Sequence, residues 1–374
     1  MAEQFQVRDL FSPAVVTRFA EDIHAVWRPF PKADFLQGVI PYLSGQSFSE
    51  RLRAISIALE KALPTDFPKA VDILLKALPE PMHPSEYGGT SHFIIAPQTA
   101  FISRCGMAHF DLSMDALREM TRRFTSEWDV RFFFEADPEK TRQVLMTWAA
   151  DQDMHVRRLV SEGTRPYVPW GKKLLAVENN PSLSLDLLDQ LKNDPTEYVR
   201  RSVANHLNDL SKKHPELVVQ ILTRWRKEHP GAPMEKLIRH ATRTLVKKGH
   251  PRALALLGYQ QGAKIDLVDF KLKPKKIKMG ESIELSFGLV STSKKVQKLV
   301  IDYVVYFVKS NGTHSPKVFK MKSMDIRPGE TVTLSKKHVI RPITTRVYYP
   351  GAHFVTVQIN GQEYEKLAFE LVGI

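Results

Sequence analysis

A chain of 374 residues with 43% hydrophobic side chains is long enough to bury more than one core, and its length suggests two or three domains. A formal charge of +13 favours a polyanionic partner, nucleic acid first and an anionic membrane surface second, over a merely soluble basic protein. The lone cysteine, Cys105, excludes an intramolecular disulfide and any multi-cysteine zinc site, and no apolar run reaches the ~20 residues of a membrane span.

The opening stretch, Met1 to Phe19, mixes Glu3, Arg8 and Arg18 among its apolar residues, which is unlike a secretory leader and predicts a cytosolic protein. Helices are predicted from Ser12-Pro13, over Lys32 to Leu43, over Ser47 to Leu63 and over Asp66 to Leu78, with Trp27, Phe30, Phe35 and Leu36 as core residues. Between Pro79 and Pro97 the helical period vanishes among Pro and Gly, so a long surface loop is expected there. Helices resume at Pro97 to Cys105 and Met114 to Phe124. In Thr125 to Phe134, TSEWDVRFFF, Ser126 and Asp129 have the spacing of a helix cap, while Glu127 is not needed for one. Trp128 stands beside it at a helix start, either as a structural side chain or within reach of a ligand.

After a helix over Pro138 to Ala150 comes the most informative stretch, Asp151 to Trp170, DQDMHVRRLVSEGTRPYVPW. Met154, Val156, Leu159 and Val160 form its apolar stripe, so Arg157 and Arg158 lie largely off it, and Gly163 ends the helix. Glu162 then falls at the negative end of the helix dipole, where an exposed carboxylate is disfavoured by roughly 0.3–1 kcal/mol. An i, i+4 ion pair with Arg158 is one reading of that placement, and a functional carboxylate is the other.

The Val-Arg-Arg pattern returns in Tyr198 to Leu210, 43 residues on, and more weakly in Leu237 to Val246, with Arg239 lying 39 residues after Arg200. Periods near 40–47 built from helix pairs are those of HEAT-like repeats, whose equivalent positions line one surface. Further helices are predicted at Leu183 to Lys192, Pro215 to Arg226, Met234 to Lys247 and Pro251 to Leu257. Gly258 to Gly262 reads as a linker.

From Lys264 the period switches to alternation. Ile265–Leu272, Ser282–Val290, Lys298–Val308, Lys317–Met324, Glu330–Ile340, Ala352–Ile359 and Tyr364–Leu371 read as seven strands of an immunoglobulin-like sandwich. The expected architecture is therefore an all-α HEAT-like repeat solenoid over residues 1–260 followed by a smaller all-β sandwich over 264–374. Residues 264–374 hold nineteen Lys or Arg against ten Asp or Glu, so most of the net charge resides there, densest in KLKPKKIKMG from Lys271 to Gly280. Asn311-Gly312-Thr313 has the form of a glycosylation acceptor and is expected to be a hairpin turn.

Arg157-Arg158-Leu159-Val160-Ser161-Glu162-Gly163-Thr164-Arg165-Pro166 with Pro169-Trp170, together with Ser126-Glu127-Trp128-Asp129-Val130-Arg131, resembles the HEAT-like-repeat DNA alkylation repair glycosylases of the AlkC type. The resemblance covers roughly residues 1–260, and the tail resembles the immunoglobulin-like domain that some members carry. It implies a monofunctional DNA glycosylase, without a cofactor, that hydrolyses the N-glycosidic bond of cationic alkylated bases of the 3-methyladenine class in double-stranded DNA, without fully extruding the base. It further implies Glu127 and Glu162 as catalytic carboxylates and Trp170 as an aromatic wall at the lesion, with Trp128 and Asp129 as weaker candidates. Arg131, Arg157, Arg158, Arg165, Lys172, Lys173, Arg200, Arg201, Arg239, Lys273, Lys275 and Lys276 are placed on the DNA backbone, several of them by charge alone. A monomer acting at the bacterial nucleoid in the cytoplasm is expected, with no membrane partner.

The chemistry agrees from below: a cationic base leaves without an acid, and the developing oxocarbenium-like sugar calls for a nearby carboxylate. The rival class is a non-catalytic HEAT-repeat scaffold that binds nucleic acid. A metalloenzyme finds no support, since no His-x-x-x-His pair with an intervening Glu is present, and no Gly-rich phosphate loop argues for a nucleotide.

Overall fold

The computed structural model describes residues 6–83 and 92–373. Two compact units divide the chain, Met1–Lys213 with Trp225–Ala241, and His214–Arg224 with Thr242–Ile374. The helices run in the order α1 (Pro13–Val26), α2 (Lys32–Val39), α3 (Phe48–Ala62), α4 (Phe67–Lys76), α5 (Ala96–Cys105), α6 (Phe110–Thr121), α7 (Val130–Ala136) and α8 (Pro138–Trp148). They continue with α9 (Met154–Gly163), α10 (Leu175–Asn179), α11 (Ser182–Leu191), α12 (Glu197–Leu210), α13 (Pro215–Glu228), α14 (Ala232–Ala241), α15 (Arg243–Lys247) and α16 (Pro251–Leu256).

Local chemistry sets many of these starts. Ser47 and Glu50 form a reciprocal capping box on α3, the Ser47 N–H donating to Glu50 at 2.8 Å. Asp66, Asp137 and Asp153 cap α4, α8 and α9 by accepting N–H groups of the first turn, the Lys69 and Lys140 bonds both being 2.9 Å. The predicted Ser126–Asp129 cap does not form. Ser126 Oγ donates instead to Leu117 O at 2.9 Å, and α7 begins one residue after Asp129 without a side-chain cap.

The predicted repeat is realised as a stack. Helix α9 packs on α12 and α12 on α14, while α8 packs on α11 in a parallel row. Val156, Leu159 and Val160 of α9 and Val199, Val203 and Leu207 of α12 are all fully buried at this seam. The third echo is broken: the helix predicted over Met234 to Lys247 divides at Thr242, so Arg239 lies in the last turn of α14. Of the predicted 79–97 loop, residues 84–91 lie outside the described residues. Phe93–Ile95 forms a 3-10 turn leading into α5, and the Met82 N–H donates to Arg122 O at 2.9 Å.

The strands are β1 (Ile265–Lys273), β2 (Lys276–Lys278), β3 (Ser282–Ser291), β4 (Gln297–Val308), β5 (His314–Ile326), β6 (Thr331–Val339), β7 (Gly351–Ile359) and β8 (Gln362–Val372). One sheet has the order β1-β3-β6 and the other β2-β8-β7-β4-β5. Inward residues of both sheets share one core, with Leu285, Phe287 and Leu289 of β3 facing Ile301, Tyr303 and Val305 of β4 and Val355 and Val357 of β7. This is the immunoglobulin-like sandwich that the alternation predicts, with the seven expected strands in place. The eighth, β2, lies inside the basic KLKPKKIKMG run and pairs parallel with β8. At three residues flanked by lysines it carries too little alternation to be read from sequence. Asn311-Gly312-Thr313 turns the β4–β5 hairpin, with Gly312 at φ +78° and a 2.8 Å bond from Lys309 N–H to Thr313 O.

The second unit takes in helices as well as strands. Val300, on the outer face of β4, packs against Val246 of α15 and Leu254 of α16. Beside them Gly249 and Gly361 meet backbone to backbone, and a Cβ on Gly361 would lie 2.1 Å from Gly249 Cα. Gly361 also has φ +82°, so Gly361→Ala combines a left-handed backbone penalty with a clash that neither main chain can relieve. It is expected to destabilise the protein by at least about 2 kcal/mol, measured by chemical denaturation.

Candidate active site

Glu162 occupies the last turn of α9, against the dipole, and the fold compensates with cations rather than water. Arg165 forms an ion pair with its Oε1, Arg158 Nη2 lies 3.6 Å from the same oxygen, and Ser202 Oγ of α12 donates to Oε2 at 2.6 Å. Arg165 reaches onward to Asp209 at 2.9 Å, in the last turn of α12. Next to this chain His206 bonds Ser161 O at 3.1 Å and Ser184 Oγ at 3.2 Å. Burial and the neighbouring Arg165 charge depress its pKa to about 3, so it stays neutral and adds no competing cation.

Arg158 is the hub. Its Nη2 lies 3.1 Å from Glu127 Oε2, its Nη1 is 3.3 Å from Thr125 Oγ1, and the guanidinium sits 5.2 Å from the Tyr198 ring centroid. Thr125 Oγ1 in turn donates to Glu127 at 3.2 Å. Glu127 and Glu162, 7% and 4% exposed, therefore flank one guanidinium, although they arrive from different elements. Their environments push their pKa values apart. Burial raises Glu127, and Glu162 adds to the rise while Arg158 opposes it. For Glu162 burial acts in the same direction, but Arg158, Arg165 and the Ser202 hydroxyl outweigh it and hold the group below the usual carboxylate range. Arg158, which burial alone would depress, is raised by the two carboxylates.

Glu127, Arg158 and Thr125 line a cavity of about 250 Å³ together with His155, Tyr198, Phe93 and Phe124. Glu162 lies behind Arg158 and is not among the lining residues. His155 Nε2 is buried with no partner among the described residues, and burial lowers the imidazole pKa, so a neutral ring faces the cavity. Such a space admits a ligand beside a carboxylate with elevated basicity and an ionised carboxylate one guanidinium away.

The loop after α9 is fixed from below by Arg131. Its guanidinium, in a side chain 2% exposed, donates to the carbonyls of Gly163 at 3.1 Å, Arg165 at 2.6 Å, Pro166 at 3.4 Å and Lys172 at 2.5 Å. Trp128 Nε1–H donates to Pro169 O at 3.0 Å, and a Cβ on Gly171 would lie 2.9 Å from the Trp128 ring. The loop then presents Trp170 at φ +57° and 61% exposed, its ring 5.4 Å from Phe48 and 6.5 Å from Trp128. Trp170 does not line the Glu127 cavity. With Trp128 and Asp129 it lines a second one, where Asp129 accepts a 2.7 Å bond from Ser103.

The expected phosphate contacts divide. Arg131 is no surface cation, since it is buried and both of its terminal nitrogens are committed to the loop, and the DNA-backbone expectation for it does not hold. Arg157 is similarly engaged, holding Asp194 at 2.6 Å and the carbonyls of Asp151 and Gln152, which ties α9 to the turn before α12. Arg200 caps that turn through Asp194 O. Arg158 and Arg165 belong to the carboxylate chain. Lys172, Lys173, Arg201, Arg239, Lys273, Lys275 and Lys276 are exposed, with Lys172 paired to Glu135, Arg201 to Glu197 and Lys276 to Glu370. Sequence reasoning missed Tyr198, Ser202 and Asp209. The repeat offset is the signal that locates them, for Glu162–Ser202 and Arg165–Asp209 are separated by 40 and 44 residues. Among the described residues no group of three or more His, Cys, Asp or Glu is arranged to hold a metal, and no helix is long and apolar enough to cross a membrane.

Comparison with known proteins gives a consistent picture. The family model described as DNA alkylation repair enzyme matches residues 113–245, and the model described as the C-terminal Ig-like domain of the uncharacterised protein YhaZ matches residues 266–373. Over 366 residues the chain is 36% identical to the uncharacterized protein YhaZ of Bacillus subtilis (strain 168), covering 98% of this chain and 99% of that one. The alkylpurine DNA glycosylase AlkC of Pseudomonas fluorescens, in a structure bound to DNA containing an abasic site analog, is 35% identical with a TM-score of 0.90, over 98% of this chain and 99% of that one.

Removing the hub leaves two buried carboxylates facing each other. Arg158→Leu is expected to cost about 3–5 kcal/mol at neutral pH, the scale of a broken buried pair. Without the guanidinium the Glu127 pKa lies still further above its unfolded value, because burial and Glu162 oppose its ionisation while Glu162 retains Arg165 and Ser202. The variant is therefore least impaired at pH below the ordinary carboxylate range and worsens as pH rises, which denaturation at several pH values measures.

Proposed function

The chain belongs to the DNA alkylation repair family, in its AlkC-like branch with a C-terminal immunoglobulin-like domain, and from this premise we propose that it is a DNA glycosylase that hydrolyses the N-glycosidic bond of cationic alkylated bases. The observation that carries the reading is the pair of buried carboxylates on one guanidinium, with the more basic of them, Glu127, lining a cavity. Arg158 serves both carboxylates, and Arg165 and Ser202 keep Glu162 charged.

In this mechanism the alkylated base, already positively charged, departs with the bonding electrons and becomes neutral. No proton donor is required, so carboxylates rather than an acid dominate the site. Glu162 contributes its fixed negative charge from behind Arg158, whose guanidinium it holds beside Glu127. Glu127, with its raised pKa, accepts the proton of the attacking water as that water bonds to C1′. Neutral bases leave too slowly for this machinery to help, which gives selectivity for charged lesions. Trp170, held out on the Arg131-braced loop, supplies an exposed aromatic face to the DNA at the lesion, with a cation–π contribution of about 0.5–2 kcal/mol. A duplex-bound base that is not withdrawn into a deep pocket is compatible with a carboxylate cavity of this size.

The test is release of free base from methylated duplex DNA without added metal. Wild type is expected to release methylated purines. Glu127→Gln and Glu162→Gln are expected to bind the duplex and lose about 10²–10³ in single-turnover rate, the usual contribution of a positioned base or charge. A non-catalytic scaffold would show no release with any of the three and unchanged binding. The acid limb of the wild-type rate should lie above the ordinary carboxylate range, because Glu127 works ionised and burial, with Glu162 against it and Arg158 for it, raises its pKa. Activity is then lost as pH falls through that raised value, and a limb at the ordinary position would remove Glu127 from the role of base.

The β-domain contributes through charge in this reading. Lys273, Lys275 and Lys276 are exposed around β2, on a unit carrying most of the chain's excess of cations. Replacing all three with Ala is expected to flatten the slope of log K against log salt by roughly 0.9 for each phosphate that is no longer neutralised. An unchanged slope would separate the domain from DNA binding.

A further inference from the structure

We propose that His155, at the start of α9, holds the attacking water together with Glu127, its imidazole accepting one hydrogen of that water while the carboxylate accepts the other. This role rests on the glycosylase reading and adds a residue to it. Both side chains line the same cavity of about 250 Å³. The other polar groups around it are engaged. Thr121 Oγ1 donates to Leu117 O at 2.7 Å, Thr125 Oγ1 donates to Glu127 at 3.2 Å, and Arg158 lies between the two carboxylates. His92 and Tyr198 have neighbours of their own. His155 differs: it is 5% exposed, and its Nε2 has no partner among the described residues. A buried imidazole nitrogen left without a protein partner beside a polar cavity calls for a water or a ligand.

The ring is held in place from two sides. His155 is the second residue of α9, where its backbone N–H donates to the capping carboxylate of Asp153 at 2.7 Å. Its imidazole meets the Tyr198 ring edge to face, with 5.6 Å between centroids. The Arg158 guanidinium sits 5.2 Å from the same Tyr198 ring and reaches Glu127 at 3.1 Å. One aromatic side chain of α12 therefore positions both the imidazole and the guanidinium that orients the carboxylate.

Two acceptors suit the step. A water whose hydrogens both point to acceptors turns its lone pairs away from them, toward C1′ as that carbon becomes electron-poor. As the O–C1′ bond forms, one proton passes to Glu127 and the departing base keeps the electrons of the broken C1′–N bond. The hydrogen that faces His155 stays on the new hydroxyl. The imidazole must then be neutral, since its protonated form has donors only. Burial and Arg158, on the same helix, disfavour the protonated ring, and Asp153 opposes them. The remaining titratable groups around the ring are Tyr198 of α12 and, across the cavity, Glu127 and His92. Activity thus requires an ionised Glu127 and an unprotonated His155, so two protonations govern the acid limb, and below both of them log rate falls by about two for each pH unit.

The experiment is single-turnover base release from methylated duplex DNA as a function of pH, with wild type, His155→Phe and His155→Gln. Phenylalanine keeps a ring against Tyr198 and removes both nitrogens, whereas glutamine keeps an acceptor that does not titrate. His155→Phe is expected to bind the duplex and to lose about 10²-fold in rate, the scale of a misplaced reacting group. His155→Gln should recover to within about tenfold of wild type. The acid limb should have a slope of about two in wild type and about one in both variants. Thermal unfolding checks that the variants are folded, and if His155→Phe is not, the wild-type limb and His155→Gln decide without it. A wild-type slope of one, a His155→Gln limb that keeps the wild-type slope, or a folded His155→Phe protein that releases base at the wild-type rate would each overturn the assignment and leave the glycosylase reading standing. Absence of release by wild type at every pH would remove that reading and this role with it.

Discussion

The candidate site depends on one electrostatic constraint: two carboxylates share a buried guanidinium. Neither charge tolerates removal from water alone, and burial opposes ionisation of Glu127, Glu162, Arg158 and Arg165 alike. The solution is alternation, Glu127–Arg158–Glu162–Arg165–Asp209, in which each interior charge has opposite neighbours. Such an arrangement is weak evidence for stability, because well-packed apolar side chains would fill the same space without a desolvation cost. What it produces is a graded pair of acids. The end of the chain that faces open space holds its proton more readily than the interior member, which has two arginines and a serine around it.

The repeat architecture makes that alternation possible. Helices α9 and α12 carry equivalent Val-Arg-Arg patterns, so their side chains meet in register where the repeats stack. Arg157 of one repeat closes on Asp194 of the next, and Arg165 on Asp209. The ladder spends several arginines on ties between helices. A row of arginines in a solenoid sequence is therefore a mixture of inter-repeat ties and surface cations, and only burial separates them.

Much of this was legible in the sequence because periodicity and turn chemistry are local. The switch from helical to alternating pattern at Lys264, the seven strands, the Asn311-Gly312 turn and the 43-residue echo all follow from residues near one another in the chain. The carboxylates were legible for a different reason: Glu162 breaks the dipole rule at a helix end, and Glu127 has no capping duty. What the sequence could not give was the destination of each cation. Arg131 and Arg201 have the same side chain, yet one is sunk beneath four carbonyls and the other lies on the surface. That difference depends on which stretch of chain folds over them. The Met234–Lys247 break and β2 were hidden likewise, the first because the apolar pattern runs on across Thr242, the second because three residues are too few for a period.

The turn from Thr125 to Arg131 shows why an irregular segment can organise a site that a helix could not. In an α-helix, consecutive side chains are spread by roughly a quarter turn and serve adjacent faces. Here the helix begins only at Val130, and the residues before it diverge. Glu127 enters the Arg158 cavity, Trp128 braces the loop through Pro169, Asp129 turns to Ser103 and the second cavity, and Arg131 secures the loop that carries Trp170. The absent side-chain cap on α7 is the local cost of that divergence, about 1 kcal/mol for a typical N-cap. Had Asp129 capped the helix, its carboxylate would face backbone N–H groups instead of Ser103, and the second cavity would lose its anion. A turn in place of a helix over these few residues thus places an acid in each of two cavities and fixes the aromatic loop beside them.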